Sequence, residues 1–326
     1  MSLLPFFWPT QTLILDDDEL FIVELKEIYK DKKNIIFSTS PIDSLNYLSN
    51  LQFDNQWYKH LLDYGYYEKK LYDIDYKKIC NNIYSPERFK QVTTIIVDHN
   101  MPSMSGIEFC TKVAQYSNAN KILLTANMDY KQAVNHLNQS IINEFYIKQD
   151  IIYNISAFLE KIHRSSHEFF HNISKDLSIL IRSKAFHSKE YRNYIHQLIQ
   201  DLNIAEYYLL NDLGWYLLLD NNGQSYGVFI FSQESADEII EEAKLRFVDA
   251  EAIQSLANYQ NILCFYSTST TDWPKSHVWK KYIHRADKIL ISGDNYYIAC
   301  VKDSIDIDYN NLYFYNQMLT NASSTI

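Results

Sequence analysis

Five polar residues that could hold a metal ion and an anionic group stand at the ends of short apolar runs. Asp16 and Asp17 follow one run, Asp98 follows a second, Thr125 ends a third and Lys148 follows a fourth. Short apolar runs rich in β-branched residues predict buried strands. In a parallel sheet the carboxyl ends of the strands share one edge, and ligands of open α/β sheets bind there. We therefore expect these side chains to meet at that edge.

The chemistry of this set is that of a carboxylate pocket beside a cation and a hydroxyl. Three aspartates make an oxygen-rich site of the kind that Mg²⁺ prefers. A carboxylate such as Asp98 can attack a phosphoryl group and form an aspartyl phosphate, whose oxygens Lys148 and Thr125 can bind. Each residue alone has a simpler explanation, since Asp18 can cap the next helix and a lysine at a strand end is usually solvated. Their order and placement together favour the phosphoryl site.

Residues 11–150 alternate predicted strands with predicted helices. The strands are Thr12–Leu15, Asn34–Thr39, Thr93–Val97, Lys121–Leu124 and Ile142–Ile147. The helices are Glu19–Tyr29, Pro41–Leu48 with Ser40 as its cap, Gly106–Tyr116 and Met128–Gln139. This alternation implies right-handed crossovers and a parallel sheet. The predicted fold class is α/β, with a doubly wound five-stranded parallel sheet.

One segment is too long for this pattern. The segment between Asp17 and Asp98 is about 30 to 40 residues longer than two strands, two helices and their short connections need. We therefore predict an insertion within about 51–91. We predict helices over Asn55–Leu62 and Glu68–Cys80, which would add a helical layer to the domain. The many tyrosines of the insertion are explained either by packing or by a partner surface, where tyrosine is favoured.

Residues 11–160 resemble the receiver domain of two-component response regulators, the CheY-like domain with a flavodoxin-like sheet. The matching pieces are L-I-L-D-D-D at 13–18, V-D-H-N-M-P-S-M-S-G at 97–106, L-L-T-A at 123–126 and F-Y-I-K at 145–148. The resemblance implies that Asp98 is the phosphorylated residue. It also implies that Asp17, Asp98 and the main-chain carbonyl of Asn100 bind Mg²⁺ directly, while Asp16 acts largely through water.

The same resemblance implies a conformational switch. Thr125 and Lys148 would sense the phosphoryl group, and the aromatic ring of Phe145 would turn inward as the threonine moves. The implied donor is a sensor histidine kinase or a histidine phosphotransfer protein. For the receiver domain no enzyme activity beyond self-phosphorylation and dephosphorylation is expected, whereas catalytic activity of the output domain stays open. Gln149 departs from the family, which usually has a proline after the lysine, commonly with a cis bond. A non-proline cis bond costs ~3 kcal/mol, so we expect either a trans bond or retained strain.

Residues 150–202 contain neither glycine nor proline and predict a long helical connector, with a break near Ser183–Ser188. Within it His167 and His171 form the pattern H-E-x-x-H, which on a helix can bind zinc. No third ligand follows at a usual spacing. His163 together with His167 could instead mark a phosphotransfer helix. Solvated or interface histidines beside buried phenylalanines are the simpler interpretation.

The remainder predicts an α+β domain. The strands are Glu206–Leu210, Trp215–Asp220, Ser225–Phe231, Ile262–Tyr266 and the hairpin Lys288–Ser292 with Tyr296–Val301. A helix is predicted over Asp237–Phe247, with Ser235 and Glu238 as a capping box. We therefore divide the chain into a receiver domain (1–155), a helical connector (156–204) and an output domain (205–326).

Three functions remain open for the output domain. It could be a protein-interaction or dimerisation module, a ligand- or nucleotide-binding domain with or without catalytic activity, or a divergent DNA-binding domain. No helix-turn-helix with a basic recognition helix is found, and the acidic helical region around Glu241 is unfavourable beside phosphates. The whole arrangement resembles response regulators of bacterial α-hydroxyketone quorum-sensing systems. That resemblance implies a homodimer that forms on phosphorylation.

Composition limits the partners and the compartment. The net charge of −10 argues against a broad nucleic-acid surface. Four cysteines lack the spacing of a zinc or redox pair, so we expect free thiols in a reducing cytoplasm. The apolar fraction of 47% supports a sizeable core, yet no apolar run reaches the roughly 18 residues of a membrane span. The apolar start of the sequence lacks the basic residues of a secretion signal, and we expect it to pack on a neighbouring surface or a partner chain.

Overall fold

A computed structural model describes residues 2–51, 58, 61–63, 73–125, 139–246, 248–266 and 276–321. The strands of the described residues are β1 (Phe6–Phe7), β2 (Gln11–Leu15), β3 (Ile35–Ser38), β4 (Leu62–Asp63), β5 (Asp73–Ile74), β6 (Val92–Asp98), β7 (Asn120–Thr125), β8 (Glu144–Ile147), β9 (Ile204–Leu209), β10 (Tyr216–Asp220), β11 (Ser225–Ser232), β12 (Asn261–Leu263), β13 (Ile283–Arg285), β14 (Asp287–Ile291) and β15 (Asp294–Lys302). The α-helices are α1 (Glu19–Ile28), α2 (Pro41–Ser49), α3 (Tyr76–Cys80), α4 (Gly106–Val113), α5 (Lys148–Tyr153), α6 (Ile155–Leu180), α7 (Lys184–His187), α8 (Lys189–Asp201), α9 (Gln233–Leu245), α10 (Ala250–Ala257) and α11 (Tyr315–Asn321).

The chain divides into two compact units. One, the parallel-sheet unit, comprises Trp8–Lys59, Pro86–Ile173 and Asn316–Ile326. The other, the antiparallel-sheet unit, comprises Met1–Phe7, His60–Ser85 and Ser174–Tyr315. Each unit has its own sheet, and the two are described separately.

The parallel-sheet unit has a five-stranded sheet in the order β3-β2-β6-β7-β8, with all neighbouring strands parallel. Every residue of the central strand β6 is buried, as expected for a sheet covered on both faces. One face packs against residues of α2 and α4, and the other packs against residues of α1, α5 and α6. The predicted doubly wound α/β fold is therefore confirmed.

The helix starts of this unit follow from local capping. Ser40 accepts a hydrogen bond from the Asp43 main-chain nitrogen and Pro41 occupies the first turn, so α2 begins where it was predicted. Ser105 caps α4 in the same way through the nitrogen of Glu108. The predicted helix over Met128–Gln139 lies, except for Gln139, outside the described residues.

Buried hydroxyl groups fix the first part of α6 on this unit. Thr10 Oγ1 lies 2.6 Å from Thr93 Oγ1 and 2.9 Å from Ser166 Oγ of α6. Thr94 donates to Ser165 Oγ over 2.9 Å. All five side chains are buried, so these bonds satisfy groups whose burial would otherwise cost free energy.

The antiparallel-sheet unit has a six-stranded sheet in the order β1-β9-β10-β11-β15-β14. Helix α9 contacts β11 and β15, and α8 contacts β9 and β14. A turn at Asn221–Gly223 joins β10 and β11: Gly223 has φ +81°, and Asp220 Oδ1 accepts from the nitrogens of Asn222 and Gln224. The predicted α+β character of this region is confirmed.

One prediction about this unit is confirmed, since the apolar start packs on a neighbouring surface of the chain, and a second needs correction. The apolar start of the chain contributes strand β1, which pairs with β9, and the Phe7 ring stacks on Tyr207 with centroids 5.7 Å apart. Helix α9 begins at Gln233 rather than Asp237, because Ser232 and not Ser235 is the capping residue.

In its described residues the insertion is less helical than predicted. Where a helix over Glu68–Cys80 was expected, the described residues form strand β5, paired with β4, and only the short helix α3. Asp75 caps α3 through the nitrogen of Lys78, which explains why the helix starts at Tyr76. The described residues of His60–Ser85 belong to the antiparallel-sheet unit. Most of the predicted helix Asn55–Leu62 lies outside the described residues.

The predicted connector is broken into four helices, α5 to α8. Ser183 caps α7 and Ser188 caps α8, so the breaks coincide with the serines at which a break was predicted. None of the helices formed by the described residues is both long enough and apolar enough to cross a bilayer.

Candidate functional site

Three aspartates converge at the carboxyl edge of the parallel sheet. Strands β2 and β6 pair with Leu15 opposite Val97, so Asp16 and Asp98 come next on neighbouring strands. Asp16, Asp17 and Asp98 each offer a carboxylate oxygen, and these oxygens all lie within 4.8 Å of one another. Asp16 and Asp98 are buried, whereas Asp17 is exposed. The site is therefore a shallow acidic pocket with one solvent-facing carboxylate.

Lys148 joins the two buried carboxylates. Its Nζ lies 2.7 Å from Asp16 Oδ2 and 2.9 Å from Asp98 Oδ1. Burial lowers the pKa of Lys148, but the hydrogen bonds and charges of the two aspartates outweigh burial and raise that pKa above its ordinary value. Burial raises the pKa of Asp16, and the charge of Asp98 adds to the rise, whereas hydrogen bonds from Lys148 and the Asp18 nitrogen oppose it. The pocket thus concentrates negative charge that a cation must offset.

The loop after β6 holds Asp98 in place. The main-chain nitrogen of Asn100 donates to Asp98 Oδ2 over 2.9 Å. The nitrogen of His99 donates to the Leu124 carbonyl, and the nitrogen of Gly106 donates to the His99 carbonyl. The start of α4 approaches the Asp98 main chain so closely that any side chain at Gly106 would collide with its carbonyl oxygen. Sequence reasoning missed this role of Gly106, although glycine at the first residue of a helix was a usable signal.

Thr125 ends β7 beside the acidic pocket, since Asp98 pairs with Leu124 in the sheet. Its side chain is buried, and its hydroxyl has no hydrogen-bond partner among the described residues. A buried hydroxyl without a partner costs free energy and requires an explanation. An anionic group bound next to Asp98 would provide the missing acceptor.

The remaining predicted residues lie as follows. Asp18 caps α1 by accepting from the nitrogens of Leu20 and Phe21, as the simpler interpretation held. Phe145 lies on β8 opposite Leu123 and packs, partly buried, against the core. No peptide bond between described residues is cis, so the bond from Lys148 to Gln149 is trans. Helix α5 begins at Lys148 itself.

The H-E-x-x-H histidines differ in their surroundings. His167 is buried and His171 is exposed, although both lie on α6. The intervening phenylalanines are buried, and the Phe170 ring meets Trp8 edge to face with centroids 4.9 Å apart. The segment is thus part of the packed core of its unit.

The acidic pocket fits a magnesium ion. Its donors are carboxylate oxygens, which Mg²⁺ prefers, and the exposed position of Asp17 leaves room for the waters that this ion retains. Among the described residues, Asp16, Asp17 and Asp98 are the group whose carboxylate oxygens lie close enough together to hold a metal ion.

No protein-family model and no curated protein matches the chain. Solved structures do match its fold. The chain is similar to the Legionella pneumophila response regulator LqsR, with a TM-score of 0.78 and 21% identity, over 99% of this chain and 97% of that chain.

Two further similarities cover about half of the chain. A CheY-like receiver domain from Methanospirillum hungatei JF-1 matches 49% of this chain and 98% of its own, with a TM-score of 0.32 and 15% identity. An adenylate cyclase from Rhodopirellula baltica matches 54% and 99%, with a TM-score of 0.36 and 18% identity. These two scores are too low to support a conclusion. The similarity to LqsR, in contrast, shows that this chain has the fold of a response regulator over nearly its whole length.

Proposed function

We propose that the chain is a response regulator that accepts a phosphoryl group on Asp98. The observation that carries the proposal is the contact of Lys148 with both buried carboxylates, beside the Thr125 hydroxyl, which finds no hydrogen-bond partner among the described residues. The donor is a histidine kinase or a phosphotransfer protein, since the sequence has no P-loop or paired-glycine pattern with which the chain itself could bind a nucleotide. The test is phosphoryl transfer from acetyl phosphate, followed by mapping of the labelled residue.

Each residue of the acidic pocket has its own role in the phosphoryl transfer. A carboxylate oxygen of Asp98 attacks the phosphorus while the bond from phosphorus to the donor's leaving atom breaks. Lys148, released from part of its contact with Asp98, binds one phosphoryl oxygen and offsets its charge. The hydroxyl of Thr125 donates to another oxygen. Because the loop nitrogen of Asn100 already binds Asp98 Oδ2, the carboxylate is oriented before the donor arrives.

Asp16, Asp17, Asp98 and the main-chain carbonyl of Asn100 are the residues that we assign to Mg²⁺, with Asp16 acting through water. When bound, the ion would neutralise charge on the transferring group. The carboxylate oxygens of Asp16, Asp17 and Asp98, which all lie within 4.8 Å of one another, support this assignment.

Replacing Asp17 with asparagine should weaken Mg²⁺ binding by at least about tenfold, because a carboxylate ligand loses its charge. Isothermal titration of the full chain with MgCl₂ measures the change. Asp18→Asn is the matched control: this residue only caps α1, and asparagine caps equally well. Equal affinities of the Asp17→Asn variant and the unchanged chain would contradict the assignment.

Phosphorylation would shift the conformational population of the parallel-sheet unit. Thr125 would move toward the new phosphoryl oxygens, and the partly buried ring of Phe145 would turn inward into the space nearby. We further propose the functional division into a receiver domain (1–155), a helical connector (156–204) and an output domain (205–326) in a cytoplasmic protein. The likeness to a response regulator supports a signalling role, and the resemblance of the sequence to quorum-sensing response regulators is the basis for proposing quorum sensing as the process.

Beryllofluoride with Mg²⁺, which mimics an aspartyl phosphate, should shift the chain toward a homodimer. The expected result in sedimentation velocity is a larger dimer fraction at the same protein concentration. The Asp98→Asn variant, which lacks the anchoring carboxylate, should show no shift. An unchanged monomer fraction of the native chain with the mimic bound would refute phosphorylation-dependent dimerisation.

A further inference from the structure

The ammonium group of Lys148 has an aromatic partner in addition to the two carboxylates of the acidic pocket. Its Nζ lies 2.7 Å from Asp16 Oδ2 and 2.9 Å from Asp98 Oδ1. The same atom lies over the ring of Phe21, 5.2 Å from the ring centroid. An ammonium group has three N–H donors and no acceptor. Two carboxylates and one aromatic face therefore give it three partners among the described residues.

The start of α1 holds Phe21 in place. Asp18 Oδ1 accepts hydrogen bonds from the nitrogens of Leu20 and Phe21 over 3.0 and 3.1 Å, which fixes the main chain of Phe21 just after the acidic run. The ring of Phe21 is partly buried and packs against the core, whereas the neighbouring Leu20 is 82% exposed. The Phe21 ring therefore contacts both the core and the lysine, and core packing limits its movement.

The contact between Lys148 and Phe21 is of a kind that becomes stronger when water is kept away. The negative face of an aromatic ring attracts a cation within about 6 Å of its centroid, and the attraction grows as the cation loses its hydration. The side chain of Lys148 is 22% exposed, so little water competes with the ring. Phe21 therefore attracts the ammonium group electrostatically in addition to covering it.

Phosphoryl transfer requires Lys148 to exchange one contact for another. In the proposed reaction the ammonium group gives up part of its ion pair with Asp98 and binds a phosphoryl oxygen. A lysine side chain has a flexible four-carbon stem, and without a restraint at its side it would be free to turn toward water at this step. The ring of Phe21 neither attacks nor receives the phosphoryl group, so its contact with the ammonium group can persist while the other partner changes.

We propose that Phe21 is a positioning residue for phosphoryl transfer to Asp98, because the face of its ring holds the ammonium group of Lys148 beside the attacking carboxylate. This inference rests on the proposed function of Asp98 and adds a residue to it. The ring confines the lysine before the donor arrives, so less conformational freedom is lost on the way to the transition state. An aliphatic side chain of similar size would exclude water as well but would lack the electrostatic attraction.

Fluorinated phenylalanines at position 21 separate the electrostatic role of the ring from its size. Each fluorine withdraws negative charge from the face of the ring and changes its shape little. The full chain with 4-fluoro-, 3,5-difluoro- or 3,4,5-trifluorophenylalanine at this position should be labelled by acetyl phosphate and Mg²⁺ progressively more slowly, down to about fivefold for the trifluoro form. Phe21→Leu should slow labelling by about the same factor. Phe21→Tyr, which keeps the aromatic face, should stay within about twofold of the native rate.

Nuclear magnetic resonance of the ε-CH₂ group of Lys148 tests the contact without phosphorylation. Its signal is identified as the one that is lost in the Lys148→Met variant. The ring current of Phe21 should move this signal upfield in the native chain, and Phe21→Leu should return it toward the position of an exposed lysine. A native chain that is not labelled would refute the proposed function of Asp98, and the role of Phe21 with it. Native labelling together with a Lys148 signal that does not respond to Phe21→Leu would refute only the role of Phe21.

The matched control is the same set of changes at Phe7. This phenylalanine is partly buried like Phe21, but it lies on β1 of the antiparallel-sheet unit, where its ring stacks on Tyr207. Phe7→Leu and fluorination of Phe7 should leave both the labelling rate and the Lys148 signal unchanged. The role of Phe21 is overturned if the fluorinated series is labelled at one rate, if Phe21→Leu keeps the native rate, or if the Phe7 variants slow labelling equally.

Discussion

Replacing Asp98 with asparagine should abolish phosphoryl transfer to the chain. The amide has no anionic oxygen, so nothing remains 2.9 Å from Lys148 Nζ to attack phosphorus. Intact-protein mass spectrometry after incubation with acetyl phosphate and Mg²⁺ should show the added phosphoryl group on the native chain. The rate for the variant should fall at least about a hundredfold, as expected when a nucleophile is removed. Peptide mapping should place the label of the native chain on Asp98.

The same substitution at a neighbouring aspartate gives the control. Asp18→Asn changes the same functional group at the start of α1, where the side chain only accepts from main-chain nitrogens. Its labelling should match that of the native chain, because asparagine is as good an N-cap. The proposed site is wrong if the Asp98→Asn variant is labelled at the native rate, or if the label maps to another residue.

The parallel sheet could be predicted because its strands are nearly continuous apolar runs. Strand β6 is buried along its whole length, and such a run is recognisable without knowledge of its partners. The starts of helices could also be predicted from a few neighbouring residues. Ser40 and Pro41 were enough to predict where α2 begins. The break between α7 and α8 was found for the same reason, since a serine cap leaves a signal within a few residues.

The features that escaped prediction depend on distant partners. Strand β1 has two residues, and its strand conformation depends on pairing with β9, about two hundred positions later. The insertion forms β5 rather than a helix because β4 pairs with it. The local sequence did not decide whether Ser232 or Ser235 caps α9. Strand β11 extends to Ser232, and the two serine hydroxyls form one hydrogen-bonded pair. The spacing of residue types along the sequence does not show which distant strands pair with each other.

Some features of the candidate site could likewise be predicted from the sequence, and others could not. The aspartates, Thr125 and Lys148 could be placed at strand ends from the sequence, and the parallel order of β2, β6, β7 and β8 brings them to one edge. The contact of Lys148 with two carboxylates could not be foreseen, since it depends on the start of α5 at that residue. That the Thr125 hydroxyl has no hydrogen-bond partner in the described part of the chain is likewise visible only in three dimensions.

Gly106→Ala should destabilise the parallel-sheet unit by about 2 kcal/mol. A methyl group on Gly106 would collide with the carbonyl oxygen of Asp98 and lie 2.8 Å from Cδ1 of Leu123. Overpacking of this kind costs about 1–3 kcal/mol, and here it meets main chain that cannot rotate away. The better helix propensity of alanine returns at most about 1 kcal/mol. The midpoint of thermal unfolding should therefore fall by about 4–8 °C, and labelling of Asp98 should slow because its main chain is displaced.

Gly293→Ala separates this steric effect from the ordinary cost of replacing a glycine. Gly293 has φ +91° in the turn between β14 and β15, and a methyl group there would meet no atom within 4 Å. Its replacement should cost only about 1 kcal/mol of backbone strain and leave phosphorylation unchanged. Gly106 has no positive φ, so its larger loss must come from the close approach of α4 to β6. Equal midpoints of thermal unfolding for the Gly106→Ala variant and the native chain would show that α4 can move away from Asp98 without loss of stability. The loop that holds Asp98 would then be less rigid than the hydrogen bond from Gly106 to His99 implies.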